Sequence, residues 1–314
     1  MFMTASYLYI FLLLSMFPDA KQTEKKDVIQ INAINYNLSN PDKIYHLPHG
    51  LHEISGITEL DASSIACIQD EFGILYIYDL KKEEIKEQYY FHHDGDYEGI
   101  TRVSNTVYIL RSDGKLFEVA NYKLGKVETV SYDTGIPANN NEGLCYDSEG
   151  NRLLIAPKGQ VGKKSETRDL RYIYAFDLNT KKLKSKPVFV FDLSIIKKFA
   201  LENKINVPID KGKSGDKNKP VIEFRTSAIG IHPITNKLYV LSGMEQLLLV
   251  FDMKGNIEYM EKLDPDLYNQ PEGITFLSNG DMLISNESKK KKPFIVRCNY
   301  LKKAERHLDK TGSE

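Results

Sequence analysis

Glu98, Glu142 and Glu272 occur in one repeated setting: Tyr97-Glu98-Gly99-Ile100, Asn141-Glu142-Gly143-Leu144 and Pro271-Glu272-Gly273-Ile274. Ser55 and Ser227 hold the same place in Ile54-Ser55-Gly56-Ile57 and Ser227-Ala228-Ile229. Carboxylates brought together by a fold raise one another's pKa, and a buried carboxylate without a positive partner costs several kcal/mol. A bound cation resolves this. Oxygen donors with no converging His or Cys select a hard ion, and Ca2+, with six to eight oxygens at about 2.3–2.6 Å, suits a wide ring better than Mg2+. The expected metal ligands are therefore Glu98, Glu142 and Glu272, with Ser55, Ser227 and Asn141 completing the set alongside Asn140, Asp96 and backbone carbonyls. The alternative is that the glutamates bond backbone amides or pair with Arg225 and Arg111.

The spacing says what must position these residues. From marker to marker the steps are 43, 44, 85 and 45 residues. A period near 43 in a chain rich in strand-like runs predicts an all-β fold, a β-propeller whose every repeat is one four-stranded blade. Blade one is expected over 55–91, blade two over 100–132, blade three over 144–192 and blade four over 229–263. Blade five, over 274–297, lacks a fourth strand. The run 43–47 can supply it from the N-terminal side, closing the ring and removing its open edges. Five blades result, or six if 193–224 conceals one. A short helix is expected over 194–201.

Two residues before each marker stand Glu53, Asp96, Asn140, Arg225 and Gln270; two after stand Ile57, Ile100, Leu144, Ile229 and Ile274. With strict alternation, each innermost strand runs from a wet end to a dry middle with the marker at the boundary. The long insertions 158–170 and 193–224, with 287–292, then all fall on the wet mouth face, where a rigid scaffold carries its function.

Composition excludes other classes. The net charge of −1 gives no field for nucleic acid, and 19 Tyr and 14 Phe without Trp suit strands. Cys67, Cys145 and Cys298 lie in apolar runs at no metal spacing and read as buried free thiols. No P-loop, dinucleotide fingerprint, H-E-x-x-H or G-x-S-x-G is present. His92-His93-Asp94 reads as a solvated loop. Residues 1–20 contain an 11-residue apolar run, 7–17, expected as a signal peptide or an uncleaved anchor. Residues 21–41 read as a linker, 42–301 as the propeller and 302–314 as a polar tail.

The set of repeated elements, with Ser227-Ala228-Ile229-Gly230-Ile231-His232-Pro233, resembles the SdiA-regulated (YjiK/CarP-like) family over about residues 45–300. The resemblance implies a five-bladed propeller, export to the periplasm or cell envelope, and a calcium site on acidic channel residues, here Glu98, Glu142 and Glu272. Two functions follow as expectations. One is a non-catalytic, calcium-binding propeller of the envelope. It would be a monomer holding a small-molecule or protein ligand at the mouth, with no nucleic acid, and membrane-associated only through its N-terminus. The other is a calcium-dependent hydrolase of esters, lactones or phosphoesters, with Glu98 or His92 as base.

Overall fold

The computed structural model describes residues 34–162, 165–206, 224–287 and 292–301. The expected signal or anchor (1–20), residues 21–33, the run 211–220, lysines 289–291 and the tail 302–314 lie outside the described residues.

Strand β1 (Lys43–His46) precedes blade I, which is β2 (Ile54–Asp61), β3 (Ser64–Gln69), β4 (Ile74–Asp79) and β5 (Glu84–Tyr90). Blade II is β6 (Tyr97–Val103), β7 (Thr106–Arg111), β8 (Lys115–Ala120) and β9 (Glu128–Asp133). Blade III is β10 (Asn141–Asp147), β11 (Arg152–Pro157), β12 (Leu170–Asp177) and a divided edge, β13 (Lys182–Leu183) and β14 (Phe189–Asp192). Blade IV is β15 (Ala228–Ile231), β16 (Leu238–Ser242), β17 (Leu247–Phe251) and β18 (Ile257–Lys262). Blade V is β19 (Pro271–Phe276), β20 (Met282–Asn286) and β21 (Phe294–Cys298). Every sheet is antiparallel in sequence order, and β1 completes blade V by pairing with β21 from Lys43↔Arg297 to His46↔Phe294.

The inner strands are buried on both faces because each blade is covered by a neighbour on either side. β3 and β4 are therefore nearly unbroken apolar runs, whereas outermost β5 alternates between half-buried and exposed. The core is five wedges, one per blade interface; between blades I and II, for instance, Ile68 and Leu75 meet Ile109 and Phe117. All three cysteines are buried free thiols within these wedges.

The innermost strands touch in the order β2, β6, β10, β15, β19 and back to β2, which closes the ring at five. The six-blade alternative is thereby corrected. The described part of 193–224 is largely the helix α1 (Leu193–Glu202), capped by the Asp192 carboxylate accepting from Ser194 N at 2.7 Å. Its Leu193, Ile196 and Ala200 pack into the wedge between blades III and IV. Two further differences have plain causes. The outer edge of blade III divides around Pro187, which has no N–H for the ladder. Ile34, Tyr36 and Leu38, in the stretch expected to be linker, are buried between blades IV and V, and the Tyr36 hydroxyl donates to Gly280 O.

Candidate functional site

In blades I, II, III and V the pairing of the first two strands slips by one residue at the repeated element, and the extra residue falls at Ser55-Gly56, Glu98, Glu142 and Glu272. A bulge re-aims the side chain of its extra residue, so the strict alternation expected along these strands is broken at the marker. The following glycine is needed because the next blade's backbone lies against it. A Cβ on Gly99 would come within 2.8 Å of Glu142 O, and one on Gly273 within 2.6 Å of Ser55 O.

The bulges bring the three glutamates together around a lysine. Lys158 Nζ lies 2.7 Å from Glu142 Oε1, and the Glu142 side chain is only 2% exposed. Burial, then the charges of Glu142 and Asp96, push the Glu98 carboxyl up to about 10, so Glu98 carries a proton and shares it with Glu142. Burial followed by the Glu142 charge raises Glu272 to about 8. Glu142 is itself raised by burial, opposed by Lys158 and by the proton of Glu98. The Lys158 ammonium interacts with all three carboxylates. Beside this centre Asp70 is raised to about 7 by burial and by Glu53 and Glu287, and Gln270 bridges Glu287 and Glu272. The mouth thus concentrates acid in blades I, II, III and V.

The other expected ligands sit differently. Ser55 Oγ donates to Tyr97 O at 2.7 Å and Ser227 Oγ to Pro271 O at 2.8 Å, each tying its blade to the next. Asn141 is fully buried, its Nδ2 donating to Ser112 O and Ala138 O, while its Oδ1 has no partner among the described residues. Neither arginine takes the glutamates: Arg225 pairs with Glu245 at 2.6 Å and Arg111 with Asp113 at 2.7 Å. His92 is exposed, with Nδ1 3.0 Å from the Tyr97 hydroxyl, whose own proton goes to His93 O.

In the sequence Lys158 is only the first residue of the insertion 158–170. A signal for its role exists. The residues just after the second strands are Asp70, Ser112, Lys158, Gly243 and Glu287, and four of them donate N–H to the carbonyl two before a marker. Lys158 is the one cation of the five.

Among the described residues no group of three or more His, Cys, Asp and Glu is already gathered as a metal cluster. The donor chemistry nonetheless fits a hard cation: three carboxyl groups around one ammonium, Glu142 buried and Glu98 and Glu272 half-buried, and the buried acceptor Asn141 Oδ1 one residue before Glu142. Alongside lies a cavity of about 440 Å3 edged by Asn139, Asn140, Lys158, Gln160 and Arg225.

No protein-family model matches the chain, and no curated protein matches it in sequence. The chain is similar in structure to a glutaminyl cyclase of Myxococcus xanthus, with 12% identity and a TM-score of 0.53, covering 83% of this chain and 95% of that one. A streptogramin B lyase aligns more loosely, with 13% identity and a TM-score of 0.46 over 82% and 97% of the two chains. The likeness is one of fold: the chain is a β-propeller.

Proposed function

We propose that the protein is an exported, calcium-binding propeller of the cell envelope, a member of the SdiA-regulated family. In this reading it binds its ligand at the channel mouth and does no chemistry on it. The observation that carries the calcium reading is the convergence of Glu98, Glu142 and Glu272 on one ammonium in a site where two of the three are pushed far above the carboxylate range. Such a centre is under-supplied with positive charge, and Ca2+ would supply two units where Lys158 supplies one. Glu98, Glu142 and Glu272 would hold the ion, with Asn141 Oδ1 as a further oxygen. Ser55 and Ser227 are left out of the set because their hydroxyls join blades. The hydrolase alternative gains nothing from His92, which is committed to Tyr97.

Calorimetric titration with Ca2+ under EGTA-controlled conditions, paired with thermal melting, tests the reading. A saturable one-site isotherm with a rise in Tm, both lost in Glu142→Gln, is expected. A melting temperature indifferent to millimolar Ca2+ would overturn it.

A further inference from the structure

The opposite end of the channel carries a second, chemically different cavity of about 230 Å3. Its inner wall is Ile57, Ile100, Leu144, Ile229 and Ile274, all at most 5% exposed. Outside that wall comes a belt of threonines. Thr58 Oγ1 accepts from Arg102 N at 3.2 Å, Thr101 Oγ1 from Tyr146 N at 3.1 Å and Thr275 Oγ1 from Glu59 N at 3.1 Å, so each hydroxyl accepts an amide of the following blade. A hydroxyl that accepts still has its own proton to donate. None of these three donates to another group among the described residues, and all three line the cavity.

At the rim, Glu59 and Arg102 neutralise each other at 3.0 Å, and Arg102 also donates Nε to Glu59 O and Nη1 to Ser104 O. The cavity therefore offers hydroxyl donors beside an aliphatic wall with no net charge. A charged guest would lose hydration without a counter-ion, whereas a carbonyl oxygen meets donors already in place. The volume lies below the ~300–1,000 Å3 of sites for drug-sized molecules. We propose that this far-face cavity is a second binding site, independent of the mouth, for a small neutral aliphatic carbonyl compound of the short-chain amide type. The carbonyl would accept from the threonine hydroxyls and the alkyl chain would lie on the five aliphatic side chains.

The test uses butyramide as probe, without added calcium, on protein labelled at the isoleucine δ1 methyls. Saturable shifts of the Ile57, Ile100, Ile229 and Ile274 methyls are expected, with butyrate and butylammonium binding at least tenfold more weakly. Thr101→Val should weaken butyramide roughly threefold to tenfold, the loss of one neutral hydrogen bond, and Thr101→Ser should bind as the parent does. Ile231→Phe, which narrows the cavity without touching a hydroxyl, should abolish binding. Because Thr101→Val also strips Tyr146 N–H of its acceptor, Ile231→Phe keeps the test decisive if that variant does not fold. Methyls that stay unmoved at every probe concentration would overturn the proposal. So would equal binding of the three probes, or parent-like binding by Ile231→Phe.

Discussion

Blades I and IV place a serine where blades II, III and V place a glutamate, at one register position of the innermost strand. The serines join blades: Ser55 and Ser227 each donate to the neighbouring blade's carbonyl, and Ser285 donates to Ser55 O at 2.9 Å. The glutamates instead crowd three acids around one lysine, where burial and mutual repulsion raise all three. The fold therefore already has a residue that serves this position structurally, and three blades forgo it for one that destabilises. That difference locates function at the carboxylates and architecture at the hydroxyls.

The comparison breaks most visibly if the two sets respond alike to calcium and to neutralisation. Glu98→Gln, Glu142→Gln and Glu272→Gln should each weaken Ca2+ binding by roughly a hundredfold, the loss of one charged ligand of about 3 kcal/mol. Without calcium the same changes should diverge. Glu272→Gln should stabilise the protein by on the order of 1 kcal/mol, because it removes a carboxyl that is ionised in the unfolded chain and must take up a proton on folding. Glu142→Gln should destabilise it, because it leaves the Lys158 ammonium without its 2.7 Å partner. Urea denaturation in EGTA and calcium calorimetry on the same samples measure both. Calcium affinity unchanged in all three variants would assign the glutamates to structure after all.

Much of this was legible in the residues. The 43-residue period, the β1 strand at 43–46 that closes blade V, and the long mouth loops all follow from apolar runs and turn residues. Three features were hidden for physical reasons. A bulge adds one residue to a strand, and the apolar alternation resumes after it, so a period-two count passes over Glu98 and Glu142 without registering the slip. Lys158 stands 16 positions from Glu142 in a lysine-rich insertion, where a side chain reads as solvated until the β10–β11 register sets Asn141 against Pro157. Ser55 and Ser227 looked like ligands because serine oxygen serves either purpose, and only the proximity of the next blade's carbonyl decides.

Acid should pull the two ends of the molecule in opposite directions. His232, in the far-face turn between β15 and β16, is fully buried, accepts from Ile234 N and Thr235 N at Nδ1, and stacks on Tyr239. Burial depresses it from 6.5 to about 4. The unfolded chain then binds more protons between those values, so this contribution is intact above pH 6.5 and lost as the pH falls through about 4, up to about 3 kcal/mol in all. Glu98 and Glu272 are raised, so there the folded form binds more protons and acidification stabilises. In EGTA, stability against pH between 7 and 4 should therefore be a shallow compromise. His232→Asn, which keeps an acceptor for the two amides, should lower stability at pH 7 and leave a curve that rises on acidification. A curve for His232→Asn parallel to the parent's would show that the histidine does not carry the acid sensitivity.

Gly99→Ala probes how tightly the bulges are held. Its Cβ would sit 2.7 Å from Leu144 Cβ and 2.8 Å from Glu142 O, contacts that only a shift of backbone can relieve. Overpacking of this kind costs about 1–3 kcal/mol, and because the displaced strand carries Glu142, calcium affinity should fall with stability. A variant that loses stability but keeps full affinity would separate the bulge from the site.

The smallest effect is the most specific. Ser55→Ala removes the donor to Tyr97 O, and Ser227→Ala removes the donor to Pro271 O, both in buried surroundings. Each should lower stability by about 1 kcal/mol, since the stranded carbonyl loses its partner while little packing is disturbed. Neither change touches a carboxylate, so calcium affinity should stay within twofold of the parent in both. Should Ser55→Ala weaken calcium tenfold with only a minor loss of stability, the hydroxyl would belong to the coordination shell. The division between joining blades and binding blades would then have to be redrawn with Ser55 as a fifth ligand.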